Sequence, residues 1–131
     1  MIGRLRKGEH GQALVEMALV LPLFFLLLFG VIEMGRVGYA YITVSNAARE
    51  GGRMAAVGVL DEEIEKSLKN SAVSLNPMIL TITITPSFAL RHSGQPVTVK
   101  VTYPVQLIIP IINNVITNPV VVSASNIMRI E

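Results

Sequence analysis

Residues 12–32 read QALVEMALVLPLFFLLLFGVI, a run of 21 residues in which Glu16 is the only charged side chain. As an α-helix the run would be roughly 31 Å long, which matches the hydrocarbon thickness of a bilayer, about 30 Å. Because Leu23–Phe29 contains only Leu and Phe, this helix has no polar face for water. A chain of 131 residues has no core large enough to bury it, so the run predicts a single membrane span.

The charges on either side of this run indicate its orientation. Arg4, Arg6 and Lys7 precede it, whereas the first basic residue after it, Arg36, lies close to Glu33. By the positive-inside rule, the N-terminus stays in the cytoplasm and the chain beyond about residue 33 lies outside. A cleaved signal peptide is the competing interpretation, but the apolar run is too long for one and no small-x-small site follows it closely. We therefore expect a retained anchor.

Glu16 is the unusual residue of the span, since it lies only about 7 Å from the start of the helix. An ionisable group in a bilayer costs about 2.5–3.5 kcal/mol at the centre and less near an edge. In one interpretation Glu16 reaches the headgroups or is protonated. In the other, a peptidase cuts after Gly11 and leaves Gln12 as a new N-terminus. The free α-amine and the carboxylate of neighbouring helices could then neutralise one another.

The longer stretch 11–58 reads GQALVEMALVLPLFFLLLFGVIEMGRVGYAYITVSNAAREGGRMAAVG. It resembles the TadE-like proteins, which are minor, pilin-like components of tight-adherence (Flp, type IVb) pilus systems. The resemblance rests on VE followed by ALVLP, then EMGR and NAAREG, and the closing SASNIMRIE also resembles the last strand of the family. It implies a minor pilin or pseudopilin of the bacterial inner membrane that acts by helix packing with other pilin-like subunits and the assembly machinery.

The resemblance also implies processing by a prepilin peptidase at the G-x-x-x-x-E motif, between Gly11 and Gln12, with Glu16 as the fifth mature residue. Met17 departs from the motif, which commonly has an aromatic residue there. We expect a basic cytoplasmic leader at 1–11, a transmembrane helix at 12–33 and an extracytoplasmic pilin-like domain at 34–131. Pro22 is expected to bend the span and to shape it for packing with its neighbours.

Hydrophobic periodicity predicts an α+β domain beyond the span. Helical spacing extends the long helix to about residue 56 and predicts a second helix over 61–75 with Asp61 as its N-cap. The expected buried positions of the long helix are Val37, Ala40, Tyr41, Val44, Ala47, Ala48, Met54 and Ala55. Alternation predicts a small antiparallel sheet with strands at 79–85, 97–103 and 120–130, and a turn at 91–94. The long helix is expected to cover this sheet, and Gly51–Gly52 to break the helix or to admit another helix closely.

The segment 105–117 is rich in isoleucine and bounded by prolines, and it is too short to span a bilayer. One interpretation is that it packs beneath the sheet as part of the core. The other is an exposed patch that contacts a partner subunit or the membrane surface. The residues of this patch would be Ile108, Ile109, Ile111 and Ile112.

Residues that carry chemistry are sparse. The chain has no cysteine, and its two histidines, His10 and His92, lie far apart in the sequence. The acidic start of the second helix lacks the alternating ligands of a calcium loop, and no nucleophile elbow or phosphate loop is present. We therefore expect no enzyme activity, cofactor, metal, small-molecule substrate or nucleic acid. The alternative to a minor pilin is an uncleaved single-pass adaptor of a secretion apparatus, whose outer domain binds other components.

Overall fold

The computed structural model describes residues 6–109 and 114–131, and the side chains from residue 11 onward within them. The elements are α1 (Arg6–Ala56), α2 (Asp61–Ser71), β1 (Thr81–Thr85), a 3-10 helix (Phe88–Leu90), β2 (Pro96–Val105) and β3 (Val120–Arg129). The predicted α+β class, with a long apolar helix, a second short helix and a three-stranded antiparallel sheet, is confirmed. The chain divides between Met34 and Gly35 into two compact units.

Helix α1 begins at Arg6 rather than near residue 12, so its predicted start was wrong. Adding a residue to an existing helix costs far less than nucleating one, which explains how the residues before the apolar run join it. The predicted end is confirmed, and Gly51–Gly52 does not break the helix. Gly58 has a φ of +80°, and Val59 N–H donates to Met54 O at 3.0 Å. This Schellman-type arrangement ends α1.

Helix α2 ends at Ser71, four residues earlier than predicted. The Ser71 hydroxyl donates to the carbonyls of Ser67 and Leu68, and such bonds offer the backbone an alternative to helix. Leu75 N–H then donates to Ala72 O at 2.9 Å in a turn. The N-cap prediction was also wrong: Leu60 holds that position without a side-chain cap.

The sheet has the order β1-β2-β3, and both neighbouring pairs are antiparallel. Strand β1 starts at Thr81 rather than residue 79 because Asn76 holds the preceding backbone in a turn, with Met78 N–H donating to its side-chain oxygen at 3.0 Å. Strand β2 is longer than predicted, and its two prolines, Pro96 and Pro104, lie outside the 98–102 stretch that pairs with β1. Prolines are therefore tolerated in this central strand.

The core of the second unit lies between the two helices and one face of the sheet, as predicted for a sheet covered by the long helix. Its members include Val44 and Ala48 of α1, and Ile64 and Leu68 of α2. The strands contribute Val97, Val99, Val101 and Val122. Tyr41 was predicted to be buried but is 53% exposed, because it lies beside the buried stripe rather than on it.

Gly51 and Gly52 lie where α1 approaches its neighbours most closely. A Cβ atom on Gly51 would come within 2.8 Å of Leu68 Cδ1 and 2.9 Å of Val99 Cγ1, and one on Gly52 would lie 2.5 Å from Asn126 Oδ1. Real side chains do not approach this closely, so only glycine fits without a shift of the neighbours. The expectation of close helix–helix approach extends here to the sheet as well.

Candidate functional site

The apolar segment of α1 is the first candidate functional site. From Gly11 onward the helix contains an 18-residue window of mean hydropathy 2.6, none of which is buried within the protein. Its Leu and Phe side chains are largely exposed, for example Leu23 and Phe24. Soluble monomers rarely expose apolar surface so continuously. In length and composition the segment is therefore a candidate membrane span, near the N-terminus.

Glu16 is exposed on this segment, one helical turn after Gln12. Gln12 Nε2 donates a hydrogen bond to Glu16 Oε1 at 3.1 Å. This i, i+4 contact orients the carboxylate but leaves its negative charge uncompensated, because the amide donor is neutral. Glu33, the next carboxylate along α1, has only 5% of its surface exposed. Glu16, within the apolar run, and Glu33, directly after it, thus have opposite environments.

Gly11 and Pro22 both lie inside α1, which is helical on both sides of them. An added Cβ at Gly11, Gly30, Gly35 or Gly38 would meet nothing within 4 Å. No contact among the described residues therefore requires glycine at these positions, unlike at Gly51 and Gly52. The bend expected at Pro22 and the cleavage expected at Gly11 and Gln12 stay predictions.

The isoleucine-rich segment follows β2 and contains exposed and buried residues side by side. Leu107 is buried, Ile108 is 73% exposed and Ile109 is half-buried, while Ile111 and Ile112 lie outside the described residues. Asn118 joins the two ends of the loop: its Oδ1 accepts from Leu107 N–H at 3.0 Å, and its Nδ2 donates to Leu107 O at 3.4 Å. The base of the loop is therefore fixed while Ile108 faces outward.

Comparison with known proteins assigns the apolar helix to a family. Residues 11–53 match the family model described as TadE-like protein. Over this segment the chain is similar to TadE-like proteins. The match covers Glu16, Pro22 and α1 nearly to its end, and it confirms the resemblance found in the sequence. No curated protein and no solved structure shows a significant match to the chain.

The TadE-like match gives the chain a general association with the tight-adherence (Tad) pilus and its machinery. The family is a structural component of that system and is not known as an enzyme family. Together with the candidate span, the match is consistent with a single-pass membrane protein. It ends at residue 53, so the likeness of SASNIMRIE to the last strand of the family stays a prediction.

Outside the TadE-like match, Arg91 and Asp61 form a clamp that the sequence did not reveal. The Arg91 guanidinium pairs with Asp61 Oδ1, donates to Val59 O at 2.9 Å and to Pro86 O at 3.3 Å, and lies over the Phe88 ring. Asp61 Oδ2 also accepts from Phe88 N–H at 2.9 Å. The Arg91 side chain is only 4% exposed. A turn containing arginine reads as solvated, so no sequence signal pointed to this buried pair.

The charged residues of the described chain do not assemble into a metal centre. Within the described residues, no group of three or more His, Asp or Glu side chains could hold a metal ion. Arg49, Glu50 and Arg53 are exposed along α1.

Proposed function

We propose that this chain is a minor pilin or pseudopilin-like structural subunit of the Tad pilus assembly or secretion system. Residues 12–33 span the bacterial inner membrane, and the domain from residue 34 onward lies outside the cytoplasm. The observation that carries this proposal is the TadE-like match over a helix whose apolar window is not buried by its own chain. Such a helix must be covered by lipid or by other helices.

The flanking charges support the proposed orientation. Arg4, Arg6 and Lys7 stand before the apolar segment in the leader, and basic residues near a span stay on the cytoplasmic side. The domain that follows has a closed core of its own, with Ile64 and Leu68 fully buried. That core allows the domain to fold outside the membrane while the apolar segment anchors it.

Glu16 has the role of registering one subunit against another. Its bond to Gln12 compensates no charge, so a lone Glu16 stays costly at membrane depth. Cleavage by a prepilin peptidase between Gly11 and Gln12 creates an α-amine at nearly the same depth as Glu16. The amine of one helix and the carboxylate of its neighbour then form an ion pair, which is favourable only when the two helices are aligned.

The proposal is tested by replacing Glu16 with alanine and, as matched control, with aspartate. Glu16→Ala should stay in the membrane fraction after alkaline extraction, since it makes the segment more apolar. The amount of Glu16→Ala that assembles with other pilus components should fall several-fold, because the carboxylate proposed to align neighbouring helices is lost. Glu16→Asp keeps the charge and should retain most of the incorporation.

A second control separates this role from a general effect of charge on α1. Glu50 is an exposed carboxylate of the same helix outside the apolar segment, so Glu50→Ala should assemble normally. Equal incorporation of Glu16→Ala and wild type would contradict the role of Glu16. Loss of membrane retention in the wild-type chain would contradict the anchor itself.

A second candidate function is an uncleaved single-pass adaptor of the secretion apparatus, whose outer domain binds other components. One observation favours it: α1 begins at Arg6, so the Gly11–Gln12 bond lies within a helix. Proteolysis prefers exposed, non-helical chain, and cleavage here requires local unwinding. Glycine in a helix costs about 1 kcal/mol relative to alanine, which makes Gly11 an easy place to unwind.

We also propose the isoleucine-rich segment 105–117, through the exposed Ile108, as a contact surface for a partner subunit or the membrane. Ile108 is exposed while the neighbouring Leu107 is buried, which provides a matched pair of variants. Ile108→Asp should leave the thermal unfolding of the full chain unchanged and reduce assembly. Leu107→Asp should destabilise the fold, because it places an unpaired charge in an apolar site. If Ile108→Asp assembled normally, this loop would have no part in contacts.

A further inference from the structure

Strand β3 is an edge strand, and among the described residues no further strand pairs with it. It is the last strand of the sheet, and it pairs with β2 through ten consecutive positions without a bulge. Ile130 N–H donates to Gln95 O at 2.9 Å, toward β2. The N–H and C=O groups of successive residues point to opposite sides of a strand. The odd-numbered residues of β3 therefore point their N–H and C=O groups away from β2. These are Val121, Ser123, Ser125, Ile127 and Arg129.

This edge lacks the features that usually protect one. Exposed edges are commonly blocked by proline, by a bulge, by several charges or by a covering loop. Strand β3 reads VVVSASNIMR, with no proline or glycine and one charge at its end. Within the described residues, no other backbone group bonds to the outward positions of the strand. The edge is therefore available to a further strand.

A polar groove of about 370 Å³ runs beside the centre of this edge. Tyr41, Ser45 and Arg49 of α1 form one wall, and residues 123–126 of β3 form the other. Arg49 is exposed and takes part in no ion pair or hydrogen bond with the described residues. Asn126 Oδ1 is buried and lacks a hydrogen-bond donor. Because Asn126 Oδ1 lies against Gly52 of α1, it is closed to a ligand, and the charge that the groove offers is the exposed Arg49.

We propose that the β3 edge and this groove bind an extended segment of another protein that carries a carboxylate side chain on its inward face. The segment would add a fourth strand antiparallel or parallel to β3, with main-chain bonds to the outward residues. Its carboxylate would pair with Arg49. Main-chain bonds supply the affinity, and the carboxylate supplies the selectivity.

The charges disfavour a second copy of this chain as the occupant. The groove lies at the middle of β3, so antiparallel pairing of two β3 strands about their centres would bring two Arg49 side chains together. Like charges placed in this way repel one another. The other free edge, β1, reads TITIT and offers no carboxylate. An acidic segment from a different chain fits both the edge and the groove.

The proposal can be tested with two synthetic peptides and the full-length protein in detergent micelles. The acidic peptide, Thr-Val-Thr-Glu-Thr-Val-Thr, places Glu between two valines on one face of a strand. The control peptide has Lys in place of Glu. With fluorescent labels and polarisation as readout, the acidic peptide should bind at least tenfold more tightly than the basic one. This test does not depend on the pilus function proposed above.

Two pairs of variants locate the binding. Ser125→Pro removes an outward N–H without removing a bond to β2, so it should abolish binding of the acidic peptide, whereas Ser125→Thr keeps the N–H and should bind normally. Arg49→Gln should remove the preference for Glu over Lys. Arg53→Gln removes an exposed charge of the same helix that does not line the groove, and should preserve the preference. Thermal unfolding of each variant confirms its fold.

Three results would overturn the proposal. The first is equal binding of the two peptides to wild-type protein, and the second is unchanged binding to Arg49→Gln. The third is concentration-dependent self-association in sedimentation equilibrium that Ser125→Pro abolishes, with no binding of either peptide. That outcome would assign the edge to a second copy of this chain instead.

Discussion

Replacing Gly51 with alanine is expected to destabilise the domain, although alanine is the better helix former. The new methyl group would lie 2.8 Å from Leu68 Cδ1 and 2.9 Å from Val99 Cγ1. Leu68 and Val99 are fully buried, so neither can move into solvent. Overpacking a core costs about 1–3 kcal/mol, against a helix-propensity gain of about 1 kcal/mol. The net loss in free energy of unfolding is about 1 kcal/mol.

Gly38→Ala is the matched control for this substitution. An added methyl group at Gly38 meets nothing within 4 Å, so alanine there should stabilise the helix by up to about 1 kcal/mol. Both variants gain the same helix propensity. The difference between their free energies of unfolding therefore gives the cost of overpacking alone. At about 2 kcal/mol, that difference corresponds to roughly 8–16 °C in Tm for a domain of this size.

The assay is thermal unfolding of the full chain in detergent, followed by circular dichroism in the near ultraviolet, where tyrosines report on tertiary packing. Gly51→Ala should unfold below wild type and Gly38→Ala at or above it. If Gly51→Ala were as stable as Gly38→Ala, α1 would not approach α2 and the sheet as closely as described.

Two further predictions concern the contacts that hold the loops. Arg91→Lys should lower the free energy of unfolding by about 2 kcal/mol, because lysine cannot reproduce the bonds to Asp61, Val59 O and Pro86 O together. As a control, Lys69→Ala breaks an exposed ion pair with Glu65 and should lower the free energy of unfolding by less than about 0.5 kcal/mol. Equal losses in urea unfolding would contradict the clamp. Asn118→Ala should speed hydrogen exchange of the Leu107 amide at least tenfold, since it removes the acceptor of that amide, whereas the exposed Asn114→Ala in the same loop should leave it unchanged.

Much of the fold could be predicted because several sequence patterns are compatible with only one structure and one environment. The run 12–32 is apolar apart from Glu16 and therefore has one possible environment, and the Ile/Thr alternation at 81–85 favours a strand with one covered face. The stripe of α2 also followed its spacing, with Ile64 and Leu68 fully buried. In each of these segments, local propensity and burial agree.

The predictions failed where side chains compete for the backbone or where burial depends on distant partners. Ser71 and Asn76 shorten α2 and β1 through hydrogen bonds that periodicity does not contain. Asp61 looked like a helix cap, yet its carboxylate bonds to Arg91 and Phe88, which lie about 30 residues later. Gly51 and Gly52 looked like weak points of α1, and only the packed sheet shows why they are glycines.

The prediction at Glu16 is of a different kind, because its proposed partner belongs to another subunit. Glu16 is exposed and accepts a hydrogen bond from Gln12. Both features are consistent with a carboxylate that can pair with a cation of another subunit. The proposed ion pair joins the Glu16 carboxylate of one subunit to the α-amine of another at a similar depth in the membrane. It requires a processed N-terminus at Gln12. The state of the N-terminus is therefore decisive for the account.

Mass spectrometry of the intact protein, isolated from the membranes of cells that make it, tests the central claim most directly. The account predicts a mature chain that begins at Gln12 and retains the whole apolar segment. A chain that begins at Met1 would favour the uncleaved adaptor. A chain that begins beyond residue 33 would contradict the account, because the helix proposed to hold the protein in the membrane would have been removed.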